Sequence, residues 1–111
     1  MSAVRLIERA AVVAALLTGA LSASAQQPKA FANGDAKAGE ALVQRDCVAC
    51  HAQRFGDATK MYTRADRKVR SPEQLLAQVR VCNVELKAGY FPDEEEGVAA
   101  YLNRQFYRFA P

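Results

Sequence analysis

The sequence is poor in the side chains that most often bind metals or carry out catalysis. It holds one histidine, three cysteines and two methionines, one of which is the initiator. A zinc site or a thioredoxin-like redox pair would need further ligands or a βαβ setting, and the sequence shows neither. It also shows no nucleophile–base pair and no paired carboxylates. We therefore do not expect catalysis by the chain's own side chains, and the chain is not assigned as an enzyme by itself.

The few cysteines and the histidine nevertheless form a motif, Cys47-x-x-Cys50-His51. This spacing is typical of covalent haem attachment, in which each thiol forms a thioether with one vinyl group of the porphyrin. His51 would then bind the iron as proximal ligand through a neutral imidazole nitrogen. The motif therefore predicts one haem c held by Cys47 and Cys50. Because the chain has no second histidine, no second imidazole is available to the iron.

The chain opens with the pattern of an export signal, residues 1–25. Arg5 and Arg9 precede an apolar segment, residues 10–17, and small residues suited to cleavage follow at 23–25. The apolar segment is too short and too interrupted for a membrane anchor. We expect cleavage after this signal, a periplasmic location and no stable membrane insertion of the mature chain.

The rest of the chain is predicted to be a flexible N-terminal leader, residues 26–33, and one domain, residues 34–111. This domain is short for a self-sufficient hydrophobic core, and a covalent haem would act as a staple. The net charge is +3 before removal of the signal and addition of two haem propionates, which bring it to about zero. That balance gives no reason to expect a nucleic-acid partner.

Three helices are predicted in the domain, with no strand pattern and no repeat. The expected N-caps are Asp35, Ser71 and Asp93. The first helix covers residues 36–45, and the second ends at Gly89.

The residue pattern also predicts which helix faces are buried. Ala38, Ala41 and Leu42 would form the buried face of the first helix, and Gly39 beside them suggests a close helix contact. Cys82 lies on the apolar face of the second helix.

The motif and the helices together resemble class I c-type cytochromes. Residues 34–42, followed by Cys47-x-x-Cys50-His51, are similar to the opening helix of that family, and residues 98–102 are similar to its closing helix. The resemblance implies a small all-α cytochrome c fold wrapped around one covalent haem. Its terminal helices would cross, here at Gly39 and Tyr101, and a third helix would precede the last. It further implies transfer of single electrons between a redox protein donor and acceptor.

The second iron ligand is the point at which the sequence departs from that family. The family usually supplies a methionine from the loop ahead of the last helix, and residues 86–92 contain none. Met61 is one alternative, but it lies only ten positions after His51 and would have to pass tightly round the haem edge. It is otherwise a packing residue or an exposed one.

Cys82 is the main candidate for the distal ligand. Residues 75–83 resemble the ligand-bearing segment of sulfur-oxidising cytochromes of the SoxA type, in which a cysteine sulfur binds the iron. Cys82 could instead be a small buried side chain or form an intermolecular disulfide. Asn83 is a further candidate, because some high-spin c-type cytochromes use an asparagine that leaves on reduction. One residue along a helix turns a side chain by roughly 100°, so Cys82 and Asn83 cannot both face the iron.

The expected function is that of an exported monohaem c-type cytochrome. Two alternatives are a high-spin haem protein that binds small ligands, and a haem subunit of a sulfur-oxidising, thiosulfate-type enzyme complex in which Cys82 carries substrate-derived sulfur. Most side chains of the basic loop, residues 60–70, are expected to be solvated. One or two of its arginines could instead pair with the haem propionates, or the loop could form a docking patch for an acidic redox partner.

Overall fold

A computed structural model describes residues 26–48, 56 and 59–111, and every regular element in these ranges is helical. The α-helices are α1 (Ala36–Asp46), α2 (Lys60–Thr63), α3 (Pro72–Leu86) and α4 (Pro92–Leu102). A 3-10 turn, Lys29–Phe31, precedes α1, and a π-helical turn, Asn103–Tyr107, follows α4. The described part of the chain thus confirms the all-α class. The predicted signal sequence lies outside it, as do Cys50 and His51.

Helices α1 and α3 begin at the residues that the sequence predicts. Asp35 caps α1 because its carboxylate Oδ1 accepts hydrogen bonds from the backbone N–H groups of Lys37, at 3.0 Å, and Ala38, at 3.1 Å. Ser71 caps α3 through its Oγ, which accepts from the N–H of Gln74 at 3.1 Å. Both predictions are confirmed, since a cap depends only on residues within one turn of it.

Helix α4 begins earlier than predicted. Asp93 was expected as the N-cap, but the cap is Phe91, and Pro92 occupies the first helical position. Proline suits that position because its φ is fixed and it has no N–H to satisfy. The Oε2 of Glu94 then accepts a hydrogen bond from the N–H of Phe91 at 2.9 Å. The prediction of Asp93 was wrong because this proline takes precedence over the aspartate.

Helix α3 ends before the predicted glycine. Its last residue is Leu86, and Lys87 follows in the left-handed conformation with a φ of 51°. Gly89, the predicted end, also has a positive φ, of 75°, but it belongs to the connection into α4. The left-handed turn is thus entered at a lysine, for which this conformation is uncommon.

Helices α1 and α4, the terminal helices predicted to cross, meet at two glycines. A Cβ atom added at Gly39 would overlap the carbonyl group of Gly97 and lie 2.7 Å from the amide nitrogen of Val98. The close helix contact predicted at Gly39 is therefore confirmed. Its nearest partner is the backbone of Gly97, however, and not the predicted aromatic side chain of Tyr101, which lies one turn further along α4.

The buried face of α1 differs from the predicted one. The helix buries Ala36, Gly39 and Val43, whereas Ala38 and Ala41 are exposed and Leu42 is half-buried. Alanines carry little information about burial, because they are common on both sides of a helix.

The core also includes a residue from the predicted flexible leader. Phe31 is fully buried, and the 3-10 turn that carries it contacts both α3 and α4. Residues 26–33 therefore differ from the expectation, since Phe31 anchors them to the domain. Within the described ranges, no helix combines the length and apolar character needed to cross a membrane.

Candidate functional site

An apolar cleft with a cavity volume of about 70 Å³ lies where the end of α1 meets α2, α3 and α4. The aliphatic part of its wall comes from α3 and α4 and consists of Leu75, Val79, Leu86, Val98 and Leu102. No charged side chain lines the cleft among the described residues. The site thus offers an apolar cavity with a few polar groups.

Among the described residues, three sulfur-containing side chains line this cleft. Cys47 is the first cysteine of the predicted haem motif, and it lies half-buried at the end of α1, where its N–H donates to the carbonyl of Val43 at 2.9 Å. Cys82 on α3 and Met61 on α2 line the same cleft. The structure therefore brings one predicted haem-binding cysteine together with both sulfur-containing candidates for the distal ligand.

The third candidate, Asn83, also borders the cleft, but its side-chain amide holds the loop between α3 and α4. Its Oδ1 accepts a hydrogen bond from the N–H of Tyr90 at 2.9 Å, and its Nδ2 donates to the carbonyl oxygen of Tyr90 at 3.1 Å. The Nδ2 also donates to the Oε2 of the buried Glu95 at 3.1 Å. Asn83 would have to give up bonds in this network to bind a metal.

Tyr90 joins this loop to the end of α1 at the edge of the cleft. Its hydroxyl donates to the Oδ2 of Asp46 at 2.5 Å, and Arg45 forms a bidentate pair with the same carboxylate. The hydrogen bonds from Arg45 and then from Tyr90 hold the pKa of Asp46 below its usual range. Burial, followed by the hydrogen bond to Asp46, raises the pKa of Tyr90 far above 10. Tyr90 is therefore a neutral donor at physiological pH.

Two further tyrosines add polar groups to the cleft without adding charge. Burial is the main cause that raises the pKa of both Tyr62 and Tyr107. Their ring centroids lie 6.0 Å apart, and Tyr62 stacks on Phe106 at 5.1 Å. Both phenols stay protonated near neutral pH, so the cleft keeps its uncharged character.

Within the basic loop, Arg67 contacts groups of the protein itself, so its role is structural more than one of docking a partner. Arg67 donates to the carbonyl oxygens of Tyr62, at 2.9 Å, and Tyr107, at 3.2 Å, and its guanidinium carbon lies 4.8 Å from the centre of the Tyr107 ring. Arg64 instead forms an exposed pair with Asp66 at 2.9 Å. Arg67 thus fastens the loop to the C-terminal turn.

A second groove adjoins the cleft on the side of this loop. It has a volume of about 320 Å³, and the charged side chains that line it are Arg64, Asp66, Arg67 and Lys68. Met61, Gln78 and Tyr107 line both the groove and the cleft, so the two form neighbouring spaces with a shared wall. Cationic side chains therefore stand next to the apolar cleft and not inside it.

The donor set of the cleft fits a c-type haem. The thiol of Cys47, which the sequence motif predicts to form a thioether, stands in the wall of an uncharged apolar cavity, and Cys82 or Met61 offers a soft sulfur ligand. The described residues hold no cluster of three or more histidine, cysteine, aspartate or glutamate side chains arranged to bind a metal ion.

Most of the polar residues in the cleft have no recognisable signal in the sequence. Tyr62, Tyr90, Tyr107 and Gln78 were not predicted as site residues. Gln78 alone has a local signal, because it lies four positions before Cys82 and so on the same helix face.

Comparison of the chain with protein-family models, curated proteins and solved structures gives no match in any of the three. The resemblance to class I c-type cytochromes therefore rests on the residues of this chain alone.

Proposed function

We propose that the chain is an exported, periplasmic c-type cytochrome that binds one haem and carries single electrons between redox proteins. The observation that carries this proposal is the apolar cleft, because Cys47 of the Cys47-x-x-Cys50-His51 motif lines it together with Cys82 and Met61. The approach of α1 and α4 at Gly39 and Gly97 gives further support, since terminal helices that cross closely are expected of a cytochrome c fold.

Haem c supplies a reversible one-electron centre when bound. In this proposal Cys47 and Cys50 hold it through thioethers, and His51 binds the iron as proximal ligand. The aliphatic walls of the cleft exclude water, and its neutral tyrosines leave the charge of the site unchanged. The chain thereby sets the reduction potential through its ligands and through burial.

Cys82 is the distal ligand in this proposal. It lies in the cleft wall on α3, and its thiol is half-buried. A thiolate would be stabilised by the charge of the iron and would lower the reduction potential relative to a methionine. Asn83 is a weaker candidate, because its amide is engaged by Tyr90 and Glu95. Met61 is 37% exposed, in keeping with a residue at the rim.

Electron paramagnetic resonance of the oxidised protein tests this assignment. The parent is compared with Cys82→Ala, and Met61→Leu serves as the matched control from the same cleft. We expect a low-spin thiolate signal that disappears in Cys82→Ala and persists in Met61→Leu. If the low-spin signal instead disappears in Met61→Leu and persists in Cys82→Ala, the distal ligand is Met61 and not Cys82.

Carbon monoxide binding separates electron transfer from small-ligand binding. An iron with two firmly bound protein ligands should resist carbon monoxide, whereas an open sixth position should bind it readily in the reduced state. Rapid, complete binding by the parent protein would favour the ligand-binding alternative.

A further inference from the structure

The side chain of Gln78 contacts the sulfur atom of Cys82. Its Nε2 lies 3.4 Å from the Sγ and donates a hydrogen bond to it. This distance is within the range in which a sulfur atom accepts from an N–H group, because sulfur is larger and more diffuse than oxygen. Both side chains line the apolar cleft.

The local structure of α3 keeps this pair together. Gln78 and Cys82 are four residues apart in the middle of a 15-residue helix, so they lie one above the other on the same face. A helical side chain leans towards the N-terminus, which directs Cys82 back over Gln78. The contact therefore follows from the helix itself and does not depend on a loop conformation.

Gln78 also stands at the boundary between two environments. It lines both the apolar cleft and the neighbouring groove that holds Arg64, Arg67 and Lys68. Its amide contacts the sulfur of Cys82 in the cleft wall, although the Gln78 side chain is exposed. Asn83, the other amide in the cleft, is engaged by Tyr90 and Glu95 instead.

We propose that Gln78 is a positioning residue that tunes the reduction potential of the haem through its hydrogen bond to Cys82. This inference rests on the proposed function, because it requires the sulfur of Cys82 to bind the iron. A donor on a ligand sulfur withdraws electron density from it and weakens its donation to the metal. Weaker donation from the sulfur stabilises the reduced iron relative to the oxidised iron, so the hydrogen bond raises the reduction potential.

The effect of Gln78 on the reduction potential should not depend on pH. A glutamine amide does not titrate, so its effect on the potential is the same across the pH range in which the protein is folded. The exposed amide of Gln78 makes this hydrogen bond in both oxidation states, so only the difference in its strength between the two states shifts the potential. The expected change is about tenfold in the equilibrium constant for reduction, which for one electron is about 59 mV.

The test is a spectroelectrochemical titration of the haem-loaded protein in a double-mutant cycle. Gln78→Leu keeps the approximate shape of the side chain and removes the donor. We expect it to lower the midpoint potential by about 59 mV while the low-spin thiolate signal persists. Gln44→Leu makes the same chemical change on the exposed face of α1 and should leave the potential unchanged.

The second half of the cycle repeats Gln78→Leu in a Cys82→Ala background. The substitution should then have no effect, because the acceptor sulfur is gone. An equal shift in both backgrounds, or no shift in the parent with the thiolate signal intact, would overturn the role of Gln78 and leave the ligation standing. If Cys82→Ala leaves the resonance spectrum unchanged, the ligation itself fails, and the inference about Gln78 fails with it.

Discussion

Replacement of Gly39 by alanine should destabilise the protein, although helix propensity alone predicts the reverse. In an exposed helix position alanine is favoured over glycine by about 1 kcal/mol. At Gly39, however, the new Cβ would overlap the carbonyl group of Gly97 and crowd the amide of Val98. These are backbone atoms of α4, so no side chain can rotate away, and α1 and α4 would have to separate.

The magnitude follows from setting these two effects against each other. Overpacking a tight contact costs about 1–3 kcal/mol, and a rigid backbone partner favours the upper end of that range. With the gain in helix propensity subtracted, we expect Gly39→Ala to lower the free energy of unfolding by about 2 kcal/mol. Val98 and Val43 are both 2% exposed, so a separation of the helices would also expose well-packed core.

Urea denaturation followed by far-ultraviolet circular dichroism measures this loss. Ala41→Gly is the matched control, because Ala41 lies on the exposed face of the same helix and reports the propensity effect alone. It should cost about 1 kcal/mol. A Gly39→Ala protein as stable as the parent, or more stable, would show that α1 and α4 do not approach as closely as described.

Three further predictions concern the surroundings of the cleft. Tyr90→Phe should cost about 1 kcal/mol at neutral pH. The hydrogen bond lowers the pKa of Asp46, so the difference in unfolding free energy between Tyr90→Phe and the parent should shrink as the pH falls below 3.8, the ordinary pKa of an aspartate. Acid-denaturation curves measure this difference, and a difference that stays constant with pH would contradict the hydrogen bond from Tyr90 to Asp46. Arg67→Met should cost about 2 kcal/mol in urea denaturation through the lost bonds to two backbone carbonyls, whereas Arg64→Met, which breaks only an exposed pair, should have little effect. Cys50→Ala should lose one thioether and much of the thermal stability, and a variant that melts like the parent would contradict the role of the haem as a staple.

The sequence predicted the helices well where their signals are local. Asp35 and Ser71 were found as caps because a cap and the N–H groups that donate to it lie within three residues of each other. The start of α4 was missed because Pro92 and Glu94 together offered a better first turn than Asp93. Here two local signals competed, and the sequence does not state their relative strength.

The packing of the helices was only partly predictable. Gly39 signalled a close contact, but its partner was assigned to Tyr101 when it is the backbone of Gly97. Glycine has no side chain that could appear in a hydrophobic pattern, so a glycine–glycine crossing cannot be found from periodicity. The burial of Phe31 was missed for a related reason, since a single aromatic residue in an irregular segment has no period.

The candidate site was predictable in its sulfur atoms but not in its polar network. Cys47, Cys82 and Met61 were each noted from the sequence, and the described structure places all three in one cleft. The engagement of Asn83 depends on Tyr90 and Glu95, seven and twelve residues further along the chain. Such contacts arise from the way the loop folds back onto α3, which no local pattern encodes.

The most direct test of the account is the intact mass of the protein after export from cells that attach haem to c-type cytochromes. The protein should have the mass of residues 26–111 plus one haem, and a Cys47→Ala/Cys50→Ala variant should lack that addition. A chain of unmodified mass, produced beside a control cytochrome that does receive its haem, would contradict covalent attachment and with it the proposed function.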